Sequence, residues 1–322
     1  MTRMKKPEFD FAGIQTFSAR SRRNLVTLDN LLVPDKYRPP DWQNPEFEEL
    51  VQRVKAAGKN QRPIVWSIGA HVIKKGLSLY LIDLIKSGFI SHIAGNGAVS
   101  IHDFELAYLG GTSEDVSTAL EDGSFGMWEE TGRWMNQAIQ AGWQKGLGYG
   151  EALARYIDRY PQKFPYRDKC VLYQAWKHNV PATFFVAVGT DIIHQHPTVD
   201  FAALGGASGE DFKRYCRTVC GLEGGVFLNF GSAVIGPEVF LKALSIARNL
   251  GFAVKDFTTA NFDLIDLGNY RSMNASAIYN YYYRPWKNIV CRPVASGGKG
   301  FHFSVDHQVS IPLLWQRLQG AK

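Results

Sequence analysis

The sequence predicts an α/β protein with a Rossmann-like open parallel sheet and an inserted helical layer. Three observations carry this prediction. Short apolar runs bounded by glycine or proline recur along the chain, as is typical of buried parallel strands. Stretches with apolar residues at helical spacing follow several of these runs, and this alternation is the βαβ pattern of a parallel sheet. A block of consecutive helical stretches separates the first two strands from the later ones.

Residues 1–60 precede the first predicted strand. They are polar and punctuated by proline, with one helix-like stretch, FEELVQRVKAAGK, and we interpret them as an N-terminal arm or cap. Residues 61–322 are predicted to form the main domain. It opens with a βαβα unit over residues 62–111, in which RPIVWSIGA and FISHIAGNGA are the strands and LSLYLIDLIKSG and IHDFELAYLGG are the helices.

The inserted helical layer is predicted over residues 113–179. Three stretches in it, EDVSTALEDG, MWEETGRWMNQAIQAGWQKG and YGEALARYIDRY, repeat apolar residues at the i, i+3, i+4 spacing of a helix. The sheet then resumes with four apolar runs, PATFFVAVG, EGGVFLNFG, GFAVKDFTT and NIVCRP. The stretch EVFLKALSIARNLG, between the second and third of these runs, is predicted to be a helix that ends at a glycine.

Length and composition exclude several classes of protein. The chain has 322 residues, of which 45% are apolar, so it can bury a substantial core and is not globally disordered. The net charge of +6 is spread without a basic run, which predicts no nucleic-acid partner. The 4 cysteines do not make a disulfide framework, and no apolar window reaches the roughly 18 to 20 residues of a membrane span. We therefore expect a soluble cytoplasmic protein with reduced thiols and no membrane association.

The loops that follow the predicted strands are the candidate site, because ligands of an open parallel sheet bind beyond the carboxyl ends of its strands. One loop, Gly95-Asn96-Gly97, has two glycines of the dinucleotide fingerprint but not the third. Its glycines either let a pyrophosphate approach the next helix or only close a tight turn. The other loops are residues 69–71, 100–103, 189–197, 229–232 and 258–263, and His102 lies in the second of these.

His194 and His196 lie two residues apart, so on an extended segment their rings face the same way, and Asp191 precedes them. Imidazole and carboxylate groups bind zinc or iron, but no third and fourth ligand is evident. We favour a hydrogen-bonded loop or a general base and predict no metal. Ser232 lacks the G-x-S-x-G elbow of serine hydrolases, so nucleophilic serine chemistry is not expected.

The aromatic cluster YNYYYRPWK, from Tyr279 to Lys287, has the most distinctive local composition. It is interpreted either as a wall for a cationic amine or a nicotinamide, with Lys287 as an amine nucleophile, or as a subunit interface or packed loop. Five acidic residues at predicted strand ends or helix starts either hold ammonium groups or cap helices. They are Asp191, Asp200, Glu238, Asp263 and Asp306.

The order of these segments resembles the deoxyhypusine synthase family over most of residues 62–315. The matching stretches are WSIGAHVIKKGLS, ISHIAGNGAVSIHDFE, CVLYQAWKHNVPATFF, GGVFLNFGSAVIGPEVF, DFTTANFD and DHQVSIPLL. The resemblance implies an NAD-binding catalytic domain over residues 61–322, in a homotetramer whose active sites are shared between paired subunits. It also implies a reaction in which NAD oxidises an amine, a four-carbon amino group passes through an imine, and the same hydride reduces the product.

The resemblance assigns NAD contacts to residues that match the family's positions. At the catalytic positions the chain departs from the family, because Lys287 directly follows Trp286 where the family lysine lies two residues after a tryptophan, and Pro237 replaces a family histidine. The acidic polyamine-binding loop becomes GTDIIHQH. The residues assigned to NAD are Ala70, His71, Ala94, Gly95, Asn96, Gly97, Gly231, Ser232, Thr259, Ala260, Asp306 and His307.

The segments GAHVIKKG and LIKSGFISHIAGNGAVSIHDFELAYLGGTS are also similar to the NAD domain of the archaeal-type ornithine cyclodeaminases. Both resemblances imply an amine substrate, a reusable nicotinamide and a group that moves protons. The candidate catalytic residues are Lys287, His194, His196, Asp191 and His102. We predict an NAD-dependent transferase of the deoxyhypusine synthase or homospermidine synthase type that acts on a small polyamine such as spermidine. The alternatives are a cyclodeaminase-like lyase and a non-catalytic NAD-binding protein.

Overall fold

The computed structural model describes residues 9–273 and 282–320, and its centre is a six-stranded sheet in which every neighbouring pair of strands is parallel. Tyr279 and Tyr281 of the aromatic cluster lie outside the described residues. From one edge of the sheet to the other, the strands are β5 Ala182–Phe185, β3 His92–Asn96, β2 Ile64–Ile68, β6 Val226–Phe230, β7 Thr258–Asp263 and β8 Lys299–Ser304. Numbered along the chain, these six strands have the order 3-2-1-4-5-6 of the Rossmann fold.

The helices of the described residues are α1 Pro45–Lys59, α2 Ala70–Lys74, α3 Ser78–Lys86, α4 Gly97–Leu109, α5 Val116–Glu121, α6 Glu129–Trp143, α7 Tyr149–Arg159, α8 Val171–Lys177, α9 Phe201–Cys220, α10 Ile235–Asn249 and α11 His307–Gln319. Local capping sets their ends. The Asn96 side chain accepts a hydrogen bond from Val99 N at 3.3 Å at the start of α4, and Gly110, with a φ of 71°, ends this helix. Asp200 caps α9 in the same way. Among these helices, none is long and apolar enough to cross a membrane.

The two faces of the sheet differ because successive residues of a strand point to opposite sides. One side, which we name the aromatic face, carries Trp66, Phe230, Phe262 and Phe303 on four neighbouring strands. Their rings stack at centroid distances of 4.5, 4.4 and 5.0 Å along the row. All four are buried, and Phe47 of α1 packs against the row. This face is the centre of the larger hydrophobic core.

The opposite side, which we name the polar face, carries Ser67, Asn229, Asn261 and His302 at paired positions of β2, β6, β7 and β8. The Asn229 amide donates to the Asn261 side-chain oxygen at 2.8 Å, and the Asn261 amide lies 3.1 Å from His302 Nδ1. All four residues are buried. Helices α9 and α10 and a short π-helix, Trp286–Cys291, cover this face.

A helical layer and a small second sheet lie beside the main sheet. The predicted layer is confirmed as helices α5 to α8, and the second sheet pairs β1, Asn24–Thr27, with β4, Gly111–Glu114, in antiparallel register. The N-terminal segment joins this layer. The Thr16 hydroxyl donates to Glu129 at 2.7 Å, and the Ala19 amide donates to Glu130 at 2.7 Å.

In the second half of the chain, two predicted elements were wrong and two elements were not predicted. The run NIVCRP is not a strand, because Ile289 and Val290 are buried in the π-helix, which packs on the sheet. The strand expected at GFAVKDFTT lies further along, at β7, where the sequence predicted a loop. Strand β8 and helix α9 were not predicted. An apolar run does not distinguish a strand from a buried helix, and β7 and β8 place the polar residues Asn261 and His302 inside the protein.

Candidate active site

The carboxyl ends of β2 and β6 meet at the point where the strand order reverses and the chain leaves the sheet toward opposite sides, and we name this point the crevice. Ligands of open α/β folds bind at this point. Gly69 follows β2, and its amide donates to the Phe230 carbonyl at 2.8 Å. Gly231 follows β6, and its amide donates to the Phe262 carbonyl at 3.1 Å. Both glycines therefore extend the sheet by one residue before the chain turns away.

Close backbone contacts require glycine at both positions. A Cβ atom at Gly69 would lie 2.6 Å from the carbonyl oxygen of Gly231. Gly231 itself has a φ of 70°, and a Cβ atom there would lie 2.6 Å from Nε2 of His307. Larger residues would force the loops after β2, β6 and β8 apart, so the two glycines allow these loops to pack closely together.

His307, the first residue of α11, lies at the same crevice. It is buried, and burial lowers its pKa to about 4, so the ring is neutral at pH 7. Its Nδ1 atom has no hydrogen-bond partner among the described residues. The preceding residue, Asp306, caps α11 by accepting from Gln308 N at 2.8 Å and forms an ion pair with Lys75 of the α2 segment. A buried ring nitrogen without a protein partner marks a position for a ligand atom or a water.

The structure brings one half of the predicted NAD residues to this crevice. Ser232 follows Gly231, and its hydroxyl accepts from Gly236 N at 2.9 Å at the start of α10. His71 is exposed on α2 and lies close enough to His307 to lower the pKa of that ring. The residues that meet here are Ala70, His71, Gly231, Ser232, Asp306 and His307.

The other predicted NAD segment, residues 94–97, has a different environment. Ala94 and Gly95 are buried within β3, and Asn96 caps α4. A Cβ atom at Gly97 would overlap the carboxylate of Asp191, which therefore lies against the first turn of α4. Burial raises the pKa of Asp191 to about 6, so the group is mostly ionised at pH 7. A negative charge at this helix start opposes a phosphate and favours the tight-turn interpretation of these glycines.

A cavity of about 200 Å³ lies beside Asp191 and is lined by residues of α2, α4, β4 and the loop after β5. His102 and Lys74 reach it from the two helices, and Thr190 and Asp191 reach it from the loop. Burial lowers the pKa of His102 to about 4, so this ring is also neutral at pH 7. The cavity therefore combines an ionised carboxylate, a neutral imidazole and an ammonium group in a small space.

A buried charge network forms the wall of the cavity. Arg22 of the N-terminal segment binds Glu105 of α4 through two hydrogen bonds of 2.8 and 2.9 Å. The hydroxyls of Thr112 and Thr131 donate to the same carboxylate at 2.5 and 2.8 Å. Nδ1 of His102 lies 2.7 Å from the Thr112 hydroxyl oxygen. The network thus joins the N-terminal segment, α4, β4 and α6 and fixes the orientation of His102.

His194 and His196 do not form a pair. Nδ1 of His194 accepts from the amides of Gly189 and Asp191 at 3.1 and 3.2 Å, and its Nε2 lies 3.7 Å from the Asp191 carboxylate, too far for a hydrogen bond. His196 instead contacts Thr198 through Nδ1 at 2.7 Å and packs against α6. Within the described ranges, no group of three or more ligating side chains is arranged to hold a metal ion.

The remaining predicted site residues lie in or over the sheet. Thr259 and Ala260 are fully buried within β7, and the Thr259 hydroxyl donates to the Ile289 carbonyl at 2.7 Å. Lys287 is 7% exposed in the π-helix. The next residue, Asn288, donates to Glu238 at 3.0 Å, which places this helix beside the first turn of α10. π-Helical turns occur often at functional sites.

Sequence reasoning missed the charge network at the cavity. Arg22 lies in the segment interpreted as an arm, and Glu105 and Thr112 were not selected as candidates. One signal was present, because His102 and Glu105 are three residues apart on a predicted helix and therefore share a face. Arg22 had no comparable signal, since its partner lies 83 residues away in the chain.

The strand order, and the crevice at the point where that order reverses, identify the architecture. The fold is Rossmann-like. Among solved structures, the chain is similar to ArgZ, an arginine dihydrolase from the ornithine-ammonia cycle in cyanobacteria, with a TM-score of 0.51 and 16% identity over 88% of this chain. The chain spans about a third of the length of ArgZ, 34%. At this identity the similarity concerns the fold alone.

Two further solved structures are less similar to the chain. A conserved, proposed LOR/SDH protein from Methanococcus maripaludis S2 has a TM-score of 0.48 and 13% identity, covering 89% of this chain and 73% of its own. A proposed deoxyhypusine synthase from Entamoeba histolytica has a TM-score of 0.46 and 9% identity, covering 85% of this chain and 89% of its own. No protein-family model and no curated protein matches the chain.

Proposed function

We propose that this protein is an NAD-dependent enzyme that transfers an aminoalkyl group between small amines without net redox change, as a deoxyhypusine synthase-like or homospermidine synthase-like transferase does. One observation carries the proposal: a glycine-lined crevice at the reversal of strand order lies next to a cavity with an ionised carboxylate and a neutral histidine. Helix α2 contributes His71 to the crevice and Lys74 to the cavity. The crevice suits a dinucleotide, and the cavity suits a small amine.

The residues of the crevice fit NAD. Gly69 and Gly231 follow the two strands at the reversal of strand order, which is the position where glycine loops approach the pyrophosphate in dinucleotide sites. The Nδ1 atom of His307 is a buried polar atom without a partner, ready for a ligand. In one respect the site differs from other dinucleotide sites, because β3 ends in Asn96 and not in the acidic residue that binds the ribose. Ala70, His71, Ser232 and Asp306 would complete the NAD site.

When bound, NAD supplies a hydride acceptor for the amine carbon and a hydride donor for the imine that follows. The chain's own residues bind the amine and accept its proton. The Asp191 carboxylate is the counter-charge for an ammonium group, and the neutral ring of His102 is an acceptor for its proton. The buried pair of Arg22 and Glu105 closes the cavity on the side of the N-terminal segment.

We assign Lys287 the role of amine nucleophile that carries the aminoalkyl group as an imine. Its place in the π-helix, beside the first turn of α10, supports this assignment. Transfer to an acceptor amine would then break the bond to the Lys287 nitrogen and form one to the acceptor nitrogen. Borohydride trapping in the presence of NAD and spermidine should add a four-carbon amino group to Lys287, detected by peptide mass spectrometry. A trapped adduct on another lysine would reassign the role.

We also propose the homotetramer with active sites between paired subunits. Four apolar side chains in the loops after β5, β6 and β7 are exposed, by 63, 47, 68 and 41%. They are Val188, Val234, Leu264 and Ile265. Apolar exposure beside a site is typical of an interface. Light scattering should give four times the chain mass of 36.1 kDa, and a monomer at all concentrations would contradict the assembly.

The first test of the function is the cofactor. Freshly purified protein is denatured, and the released small molecules are assayed for NAD by mass spectrometry. We expect NAD in a ratio near one per chain, and incubation with spermidine or putrescine should then yield a new polyamine or diaminopropane. Absence of NAD together with no binding of added NAD would overturn the proposal. Ammonia released from ornithine, without a new polyamine, would favour the cyclodeaminase-like lyase instead.

A further inference from the structure

We propose that His102 is the catalytic residue that takes the proton from the amine nitrogen of the substrate, at its Nε2 atom, and that Thr112 and Glu105 are positioning residues for this ring. The proposal rests on the function proposed above and deepens it. It names the proton acceptor, and it names the substrate class as a short primary amine that binds in the cavity next to α4.

Hydrogen-bond donors and acceptors fix the tautomer of His102. A carboxylate only accepts hydrogen bonds, so the Thr112 hydroxyl uses its single proton in the hydrogen bond that it donates to Glu105, at 2.5 Å. The Thr112 oxygen can then only accept from Nδ1 of His102, at 2.7 Å. In a neutral imidazole one nitrogen carries the proton and the other does not. Nδ1 therefore holds the proton, and Nε2 has the free electron pair.

Glu105 itself is excluded as the acceptor because its oxygens are fully used. They accept two hydrogen bonds from Arg22, one from Thr112 and one from Thr131. An ion pair this well satisfied has no lone pair directed at a ligand. Its function is to hold the hydroxyl of Thr112, and through it the ring of His102, in one orientation.

The Nε2 atom of His102 is available to a ligand. The side chain lines the cavity of about 200 Å³, and Nε2 has no hydrogen bond within the part of the chain that the structure describes. Burial lowers the pKa of His102 to about 4, which leaves Nε2 unprotonated at neutral pH but makes it a weak base, and the charge of Glu105 acts in the opposite direction and favours the protonated ring. The charged groups of α2, β4 and the loop after β5 that share this cavity are Lys74, Glu114 and Asp191.

The size and charge of the cavity define its ligand. Pockets for drug-sized ligands measure roughly 300–1,000 Å³, and this one, at about 200 Å³, is smaller. Glu105 neutralises Arg22, which leaves the carboxylates of Asp191 and Glu114 against the single ammonium of Lys74 among the described lining residues. This excess of negative charge favours a cation. A short primary amine such as putrescine has both properties.

The proton and hydride leave different atoms of the substrate. The substrate enters as an ammonium ion, one N–H bond breaks, and its proton moves to Nε2 of His102. Bound NAD would accept the hydride of the adjacent C–H bond, and the nitrogen lone pair would then form the second C–N bond. The product is a protonated imine, and the same steps in reverse restore an amine.

The first test does not depend on any reaction. Full-length protein labelled with ¹⁵N-histidine is examined by long-range ¹H–¹⁵N correlation NMR, with His102→Gln to assign the resonances. We expect His102 in the Nδ1-protonated tautomer. Thr112→Val removes the acceptor and should shift the ring toward the Nε2-protonated tautomer, and Thr112→Ser should restore it. An Nε2-protonated ring in the unmodified protein would overturn the proposal.

The second test is single-turnover oxidation of putrescine by the NAD-loaded protein, followed as nicotinamide absorbance. His102→Gln should slow this step by about 10²- to 10⁴-fold with little change in KM. Asp191→Asn should mainly raise KM, because it removes the counter-charge. His178→Gln, at an exposed histidine at the end of α8, is the matched control and should leave the rate unchanged.

The outcomes separate the two proposals. If the unmodified protein binds NAD and oxidises putrescine but His102→Gln does so equally fast, the role of His102 fails and the proposed function stands. If the unmodified protein neither binds NAD nor oxidises any amine, the proposed function fails and the catalytic role fails with it, whatever tautomer the NMR spectrum shows.

Discussion

The aromatic face and the polar face are built by alternate residues of the same four strands, yet they differ in chemistry. On the aromatic face, Trp66, Phe230 and Phe262 stack and make no side-chain hydrogen bond across the row within the described residues. On the polar face, Asn229, Asn261 and His302 exchange hydrogen bonds. The aromatic row gains stability from burial and packing, whereas the polar row pairs groups whose burial would otherwise be unfavourable.

This difference indicates on which face of the sheet side chains can be replaced by functional groups. An apolar face tolerates only shape-matched replacements, and a polar face contributes little net stability but directs buried donors and acceptors toward the ligand crevice. Two oxygens of the polar face, Ser67 Oγ and Asn229 Oδ1, have no hydrogen-bond partner among the described residues. Both lie at the end of the sheet next to Gly236 of α10, close to the crevice.

The aromatic face should give the largest loss of stability. Phe230→Ala, in the middle of the row, creates a cavity between two stacked neighbours, and we expect the free energy of unfolding to fall by about 3–5 kcal/mol. Guanidinium denaturation measures it. The control is Phe252→Ala, whose ring is 48% exposed, with an expected loss under about 1 kcal/mol. Equal losses of unfolding free energy at both positions would show that the packed aromatic row contributes no more to stability than an exposed apolar side chain.

The polar face should respond less to a similar truncation. Asn261→Ala leaves the buried groups of Asn229 and His302 without their partner, and we expect a loss of about 2–3 kcal/mol in the free energy of unfolding. A double-mutant cycle with Asn229→Ala sharpens the comparison. The coupling between the two sites should be about 1 kcal/mol, and strictly additive losses would show that the row is a set of independent side chains.

The polar face should also make stability depend on pH. His92 of β3 is fully buried between the hydroxyls of Thr183 and Thr218, and burial lowers its pKa from 6.5 to about 3. The neutral ring stabilises the folded state above pH 6.5, and this contribution is lost as pH falls toward 3, at up to about 1.4 kcal/mol per pH unit. His92→Gln should flatten the fall in unfolding free energy between these pH values. Parallel curves for the two proteins would contradict the assignment.

The smallest effect is expected at the rim of the aromatic face. Lys299 of β8 binds Glu49 of α1 at 2.6 Å, with side chains 35 and 39% exposed. Lys299→Met should lower the free energy of unfolding by less than about 1 kcal/mol, and the difference should shrink in 1 M salt because exposed charges are screened. Denaturation at low and high salt measures both. A loss above about 2 kcal/mol that salt leaves unchanged would mean that this rim is part of the packed face.

The sequence predicted the first βαβα unit and the helical layer because their apolar residues repeat at the spacing of one secondary structure. It failed at β7 and β8, where Asn261 and His302 are buried and paired by hydrogen bonds, since an isolated sequence shows no partner for a polar residue. The run around Ile289 was wrongly predicted to be a strand, and the reason is the opposite one. An apolar segment signals burial, and a π-helix packed on the sheet buries it as well as a strand would.

The glycine loops of the crevice were predictable because the carboxyl ends of parallel strands meet at one edge. The cavity was not, since Arg22 and Glu105 meet only after the N-terminal segment folds back over α4. Nor did spacing reveal the separation of His194 and His196. A two-residue interval aligns side chains on an extended segment, and the chain forms a 3₁₀ turn at residues 192–194 instead.

The contact between Arg22 and Glu105 has a consequence for the order in which the protein takes shape on the ribosome. Arg22 leaves the exit tunnel 83 residues before Glu105, and the segment around it is also held by Glu129 and Glu130, which emerge later still. The early part of the chain must therefore wait for α4 and α6 to be synthesised before it reaches its final position. The wall of the cavity that contains Arg22 therefore forms only after α4 and α6 have been synthesised, although Arg22 itself is among the first residues made.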